Sequence, residues 1–305
     1  MPVSRRKFTL GGIAAGAVLA SGARLGAADQ DLLKRAIPAS GELIPVLGVG
    51  TNRYGVGDDA SLREPLRAAL GRFRELGGTV IDTAPGYRTS ERVLGDIIDD
   101  MGALDDFFVA TKVDREQRSD SEKRMEGSFR KLRMQQCDLM QVHNLRGWQE
   151  SIPLMRQWKD AGRIRYIGIT TSRESQYEEM EKIMRAEDLD FIQINYSLAN
   201  QRRSADRILP LAQDRGMAVL LNRPFGGGGV FSKLSQATLP DWAADFDVSS
   251  WAQFLLKYAL SHPAATCAIP GMTKSRHVDD NFGAARGRMP GAAERRKQEA
   301  FFDAL

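Results

Sequence analysis

The sequence predicts an α/β fold, a (β/α)8 TIM barrel preceded by a short N-terminal β-hairpin, and three observations carry that prediction. Eight short runs are almost continuously apolar, as parallel strands covered on both faces must be. Amphipathic stretches of helical periodicity separate them. No linker interrupts the alternation, and the 305 residues exceed only modestly the roughly 250 that one such barrel uses.

In chain order, Arg35-Ala36-Ile37-Pro38 and Leu43-Ile44-Pro45-Val46 flank Ala39-Ser40-Gly41-Glu42, two apolar pieces around a Ser-Gly turn that read as the hairpin. Strand-like runs follow at residues 46–51, 79–83, 107–112, 138–143, 166–170, 191–195, 218–222 and 266–270. Between them, residues 62–76 place Leu66, Leu70 and Phe73 at helical spacing with arginines on the other faces. Similar patterns occupy 91–101, 119–132, 151–161, 175–186, 205–215 and 250–260. Asp120, Ser121 and Ser204 read as helix starts, and Gly77-Gly78, Gly162, Gly216 and His262-Pro263 as helix ends. An open doubly wound sheet is the runner-up. It lacks the glycine fingerprint, because Arg53 stands where the third glycine after Gly48-Val49-Gly50 belongs.

Composition narrows the function classes. With 42% hydrophobic and 27% charged residues, the chain is neither disordered, collagenous, coiled-coil nor a multi-pass membrane protein. A pI near 9.1 and a net charge of +4 invite a nucleic-acid partner. That charge resides in the first 28 residues, which hold Arg5, Arg6, Lys7 and Arg24 and no acid, so without them the chain is neutral. A basic start, the small and apolar stretch 9–20, and Gly26-Ala27-Ala28 read as a signal peptide cleaved after Ala28. The Arg5-Arg6 pair resembles a twin-arginine signal, which implies use of the twin-arginine export machinery and a periplasmic or otherwise exported product. The apolar run is too short for a stable membrane anchor. Residues 29–305 are then a single barrel domain, expected as a monomer with no nucleic-acid partner. Cys137 and Cys267 lie in or beside apolar runs and read as buried packing residues, and three histidines without a Cys/His cluster suggest no metal site.

Barrel active sites lie at the C-terminal ends of the strands, so the residues closing each run are the candidates. They are Thr51/Asn52, Asp82, Lys112, His143, Thr170/Thr171, Gln193/Asn195 and Arg223, with Tyr87 five residues beyond Asp82 across a Pro85-Gly86 turn. Each alone has a bland reading: a helix cap, a solvated strand end, a core histidine, a loop aromatic. Four such groups at neighbouring strand mouths argue for chemistry.

Together these residues resemble the catalytic Asp, Tyr, Lys and His of the aldo-keto reductases. Ile81-Asp82-Thr83-Ala84-Pro85-Gly86-Tyr87 is similar to the family's Asp-Tyr motif. Ala110-Thr111-Lys112-Val113 is similar to its lysine strand, and Asp138 to Asn144 to its histidine strand. The resemblance runs from about Arg35 to Asn281 and implies carbonyl reduction by a nicotinamide cofactor. It assigns Tyr87 as proton donor, Lys112 as the cation that brings the Tyr87 pKa nearer neutrality, Asp82 as the group holding Lys112, and His143 as the residue orienting the substrate carbonyl.

The resemblance further implies cofactor contacts from Gly50, Thr51, Asn52, Thr170, Thr171, Gln193 and Tyr196, the last stacking on the nicotinamide. Pro224, Phe225, Gly226 and Gly228 belong to a glycine-rich loop over the pyrophosphate. Lys274, Arg276, His277 and Asn281 are assigned to the 2′-phosphate and adenine. NADP is the expected cofactor and NAD the second choice, since Gly271-Met272 and His277 depart from the family's Lys-Ser and Arg. Thr171 replaces the family's Asn, and Asn144 stands where many members carry an aromatic. Those departures keep open a cofactor-binding sensor with little turnover. A lyase or isomerase acting on phosphorylated substrates is a third reading, which the Asp-Tyr-Lys-His order opposes. A small-molecule carbonyl compound is the expected substrate, chosen by loops such as 145–150 and 225–247.

Overall fold

The structure is a computed structural model and describes residues 31–200 and 202–305. The signal-peptide reading of residues 1–28 lies outside the described residues. A hairpin comes first, formed by β1 (Lys34–Ala36) and β2 (Leu43–Pro45), with Arg35 opposite Ile44. Eight parallel strands follow in sequential order: β3 (Val49–Gly50), β4 (Val80–Asp82), β5 (Phe108–Val113), β6 (Cys137–His143), β7 (Ile164–Thr170), β8 (Phe191–Asn195), β9 (Ala218–Asn222) and β10 (Cys267–Ala268). The ends of the sheet meet. Gly48 N–H donates to the Ala268 carbonyl (2.8 Å), Ala268 N–H to Val46 (2.9 Å) and Gly50 N–H to Pro270 (2.9 Å), so the sheet closes into the expected barrel.

The helices are α1 (Ala60–Glu75), α2 (Ser90–Asp100), α3 (Arg118–Leu132), α4 (Trp148–Asp160), α5 (Tyr177–Ala186), α6 (Ser204–Asp214), α7 (Val230–Leu234), α8 (Trp251–Leu260), α9 (Ser275–Ala284) and α10 (Ala292–Asp303). Seven coincide with the predicted stretches to within a few residues. Asp59 caps α1, its carboxylate accepting from Ser61 N–H at 2.9 Å. Gly77, Gly162 and Gly216 end helices in left-handed backbone, as predicted. The predicted start of α6 holds, since that helix begins at Ser204, whereas α3 begins at Arg118, ahead of the predicted Asp120 and Ser121. Ser121 lies inside α3, where its hydroxyl meets that of Ser151 (3.1 Å), and the Ser204 hydroxyl at the start of α6 donates to the Asn195 carbonyl (2.8 Å).

Strand parity organises the core into two regions. Phe108, Ala110, Leu139, Tyr166, Phe191, Ala218, Leu220 and Cys267 point into the barrel, where Ile37 and Ile44 of the hairpin close its lower end. The alternate residues, among them Val109, Met140, Ile169, Ile192, Ile194 and Val219, pack outward against the helices. Both cysteines are buried and free, in keeping with a packing role. Among the described residues, no helix is long and apolar enough to cross a membrane.

Candidate active site

Because side chains alternate along a strand, each barrel strand sends every second residue inward, and the last inward residue stands at the mouth. On β5 the inward series is Phe108, Ala110, Lys112; on β6 it is Leu139, Gln141, His143; on β4 it is Val80, Asp82. Lys112, His143 and Asp82 therefore arrive together above the apolar interior. Tyr87 joins them from the turn after β4, where its N–H donates to the Ala84 carbonyl at 3.0 Å. A cleft of about 840 Å³ opens over these four residues, and all of them line it.

Lys112 is 1% exposed and donates to Asp82 Oδ1 at 2.6 Å and to the Thr83 carbonyl at 2.7 Å. Its ammonium also sits 5.3 Å from the centroid of the Tyr87 ring. Tyr87 and His143 meet edge to face, with centroids 6.0 Å apart. Gln193 Nε2 reaches Asp82 Oδ2 at 3.4 Å, so both carboxylate oxygens are engaged.

Burial would neutralise Lys112, but Asp82 and Tyr87 beside it more than offset that and hold its pKa above the ordinary lysine value. Burial raises the Asp82 carboxyl, and Lys112 is the main influence opposing the rise. For Tyr87 burial also wins: it lifts the hydroxyl above the usual phenol value, and Lys112 pulls it back only part of the way. The expected net lowering of Tyr87 is thereby corrected, because the ring sits in a low-dielectric corner of the cleft. His143 is pushed down to about 4, by burial first and the Lys112 charge second, so its imidazole is neutral near pH 7 and offers one N–H donor.

Of the residues expected around the cofactor, Gly50, Thr51, Asn52, Thr170, Gln193, Pro224, Phe225, Gly228, His277 and Asn281 line the cleft. Gly50 admits no side chain, since a Cβ there would lie 2.8 Å from the Ile269 carbonyl oxygen. Five expected residues stand elsewhere. Thr171 follows the inward Thr170, so parity turns it out of the barrel, and its hydroxyl donates to Gln176 Oε1 at 2.5 Å. Tyr196 likewise shares the outward parity of Ile192 and Ile194. It stacks on Tyr258 (centroids 5.5 Å apart), and its hydroxyl accepts from Arg295 at 2.6 Å, so it is a core residue and not a face for nicotinamide. Gly226 faces Asn200 on the far side of its loop, and Gly227 takes its place in the cleft. Lys274 and Arg276 are exposed on the first turn of α9 and its cap, outside the cleft lining; Thr273 and His277 occupy that wall.

Sequence reasoning missed several lining residues: Arg53, Ser172, Arg173, Asn222 and Asp280. Gln141 was also missed. It is fully buried on the inward side of β6, and its amide favours the charged form of Asp82, although neither of its polar atoms reaches hydrogen-bond geometry. Inward parity, counted back from His143, was the available signal. Among the described residues no cluster of His, Cys, Asp or Glu could hold a metal ion.

Residues 46–290 match the sequence model of the Aldo/keto reductase family. The Aldo-keto reductase YhdN of Bacillus subtilis is 30% identical over 203 residues, a match covering 62% of this chain and 59% of that protein. The Methylglyoxal reductase YeaE of Escherichia coli is 28% identical over 258 residues, covering 81% of this chain and 88% of that protein. Among solved structures, an aldo-keto reductase from Klebsiella pneumoniae in complex with NADPH has a TM-score of 0.74 at 24% identity, covering 89% of this chain and 96% of that one. The holo form of the aldo-keto reductase AKR11C1 from Bacillus halodurans gives 0.71 at 23% identity, covering the same shares.

Proposed function

The chain belongs to the aldo/keto reductase family, and from that premise we propose that it is an NADP-dependent oxidoreductase that reduces an aldehyde or ketone to an alcohol, with Tyr87 as the proton donor. The observation carrying this reading is the buried Lys112, held at 2.6 Å by Asp82 and set against Tyr87 at the floor of the cleft. Similar aldo-keto reductase structures from Klebsiella pneumoniae, in complex with NADPH and with NADP, support the choice of cofactor.

The cleft suits a nicotinamide dinucleotide on its own chemistry. Gln193 Oε1 and Asn222 Oδ1 are buried without a hydrogen-bond partner, and both residues line the cleft, so two acceptors await donors such as a carboxamide NH2. Gly227 and Gly228, at φ +98 and +94, bring backbone without side chains to the other end of the cleft, where phosphate oxygens can approach closely. Thr273, His277 and Asn281 would line the adenosine portion. The neutral His277 in place of a cation leaves NAD as a second cofactor.

When bound, the reduced nicotinamide supplies the hydride; the rest belongs to the protein. His143, neutral at the working pH, donates its N–H to the substrate carbonyl and fixes its orientation. Tyr87, kept protonated by its high pKa, delivers a proton to that oxygen as negative charge develops. Lys112 stabilises the phenolate left behind, and Asp82 keeps the ammonium aimed. Phe225 and Phe231, 5.1 Å apart at the rim, limit water. The test is Tyr87→Phe in purified protein with NADPH and a panel of aldehydes. Nicotinamide absorbance should stop falling while cofactor binding persists, and near-normal turnover would sink the assignment.

The reading extends to residues 1–28 as a twin-arginine-type signal peptide and 29–305 as one exported barrel domain. Support comes from the Arg5-Arg6 pair, the short apolar run and the absence of acids before Asp29. Export of an already folded chain lets the barrel leave with cofactor bound, since soluble nicotinamide pools are cytoplasmic. Fractionation with N-terminal sequencing decides: a periplasmic product starting at Asp29 supports it, and cytoplasmic protein with an intact N-terminus refutes it.

A further inference from the structure

Two arginines that line the cleft, Arg53 and Arg173, form no ion pair with a carboxylate among the described residues. Arg53 is exposed in the loop after β3, two residues before Gly55, where a Cβ would lie 2.6 Å from the Tyr87 carbonyl oxygen. That segment therefore lies against the Tyr87 turn. Arg173 is exposed in the loop after β7, its N–H held at 3.1 Å by Thr171 Oγ1, and its charge is felt at His143 on the neighbouring strand.

Carboxylates near these two guanidinium groups in sequence or space are engaged by other cations. Glu174, next to Arg173, pairs with Arg203 at 3.3 Å. Asp114, which also acts on His143, pairs with Arg115 at 2.8 Å and Arg124 at 3.1 Å. Asp58 pairs with Arg63 at 2.9 Å and Arg92 at 2.5 Å. Asp82 is neutralised by Lys112. Asp280, the other acid of the cleft, lies on α9 with the adenosine-side residues and accepts from Gln253 at 2.9 Å. A third cleft arginine, Arg223, has its Nη2 3.1 Å from where a Cβ on Gly227 would stand, which places it with the glycine loop. The mouth over Tyr87 and His143 is thus left with uncompensated positive charge. Among the described residues most other arginines pair with acids, Arg63, Arg72, Arg133 and Arg202 being examples.

We propose that the substrate is a carbonyl compound bearing an oxyanion group, a carboxylate or a phosphate, held by Arg173 with Arg53 across the mouth while its carbonyl meets Tyr87 and His143. The inference rests on the reductase reading. Hydride passes to the carbonyl carbon and a proton from Tyr87 to its oxygen, giving the alcohol and oxidised nicotinamide, and the oxyanion group is unchanged. Two guanidinium groups present paired donors in the planar geometry that suits such oxyanions.

The test compares kcat/KM for shape-matched pairs with NADPH: 4-carboxybenzaldehyde against 4-methylbenzaldehyde, and glyceraldehyde 3-phosphate against glyceraldehyde. A charge-assisted hydrogen bond predicts at least about a tenfold preference for one anionic member, falling with added salt. Whichever pair shows it identifies the oxyanion. Arg173→Gln should cut that preference about tenfold, Arg53→Gln less, and Arg173→Lys should restore part of it. Thermal melts check folding, and NADPH dissociation constants check cofactor binding. Both pairs reacting without preference for the anion would overturn the inference and leave the reductase reading standing. Weakened NADPH binding in Arg173→Gln with an unchanged preference would assign Arg173 to the cofactor and also overturn it. Turnover of none of the four would remove both.

Discussion

Replacing Lys112 by Met keeps the length of the side chain and deletes its charge, which strands Asp82 in a site where it is 2% exposed. Removing one member of a buried pair costs about 3–5 kcal/mol, because the remaining charge is left desolvated. For a domain of this size about 2–4 °C of Tm follows each kcal/mol, so Lys112→Met should melt roughly 6–20 °C lower. The loss also has a pH signature. Burial raises the Asp82 pKa and Lys112 is the main group opposing it, so the variant's folded state takes up a proton more readily than its unfolded state. A raised carboxyl contributes stability at low pH that disappears as pH rises through the folded value, so the Tm deficit should shrink from pH 8 to pH 5. The double variant Asp82→Asn/Lys112→Met removes both charges and should recover most of the lost stability with little of that pH dependence. Both variants should lose about 10²–10⁴-fold in kcat, since neither stabilises the Tyr87 phenolate. Differential scanning fluorimetry across pH and steady-state kinetics provide the readouts. A Lys112→Met protein within about 2 °C of the parent would refute the buried pair, and one with undiminished kcat would refute the role of Lys112 in the proton step.

His143 folds with its pKa near 4, below the ordinary 6.5. Between these values the unfolded chain binds more protons, so stability falls as pH drops through that window, by at most about 3 kcal/mol from this residue and less with residual solvent access. NMR titration of the imidazole checks the value, and a midpoint near 6.5 would show that the ring is not held as described. Tyr196→Phe removes the acceptor for Arg295 and should cost about 1–2 kcal/mol of stability while leaving the NADPH dissociation constant within about twofold. A tenfold weaker cofactor would restore Tyr196 to the binding site.

The barrel was legible because parallel strands covered on both sides must be apolar along their length, so polar residues at the ends of the runs stand out. Asp82, Lys112 and His143 were found in that way, and their spacing from the inward Val80, Ala110 and Gln141 is two residues in each case. Two of the errors share one origin. Thr171 and Tyr196 were placed by motif position, whereas parity from Thr170 and Gln193 sends them outward. Gly226 and Gly227 are adjacent residues on opposite sides of one loop, a distinction that composition does not carry. The helices α9 and α10 went unpredicted because their buried faces are narrow, Val278, Phe282 and Ala284 in one and Gln298 with Phe302 in the other. The arginines at the mouth were hidden for a different reason: whether a guanidinium is paired depends on residues distant in sequence.

The closure of the barrel also sets when it can exist. Val46, Gly48 and Gly50 complete their bonding only with Ala268 and Pro270, the Leu33 N–H donates to the Ala285 carbonyl, and Arg35 holds the carbonyls of Leu260 and Ala265. The chain's early segments therefore wait on its late ones, at the large separations that make ring closure slow. A growing chain on the ribosome cannot shut the barrel until Ala268 and Pro270 have emerged. A truncation ahead of that point should leave an open sheet edge exposed to aggregation.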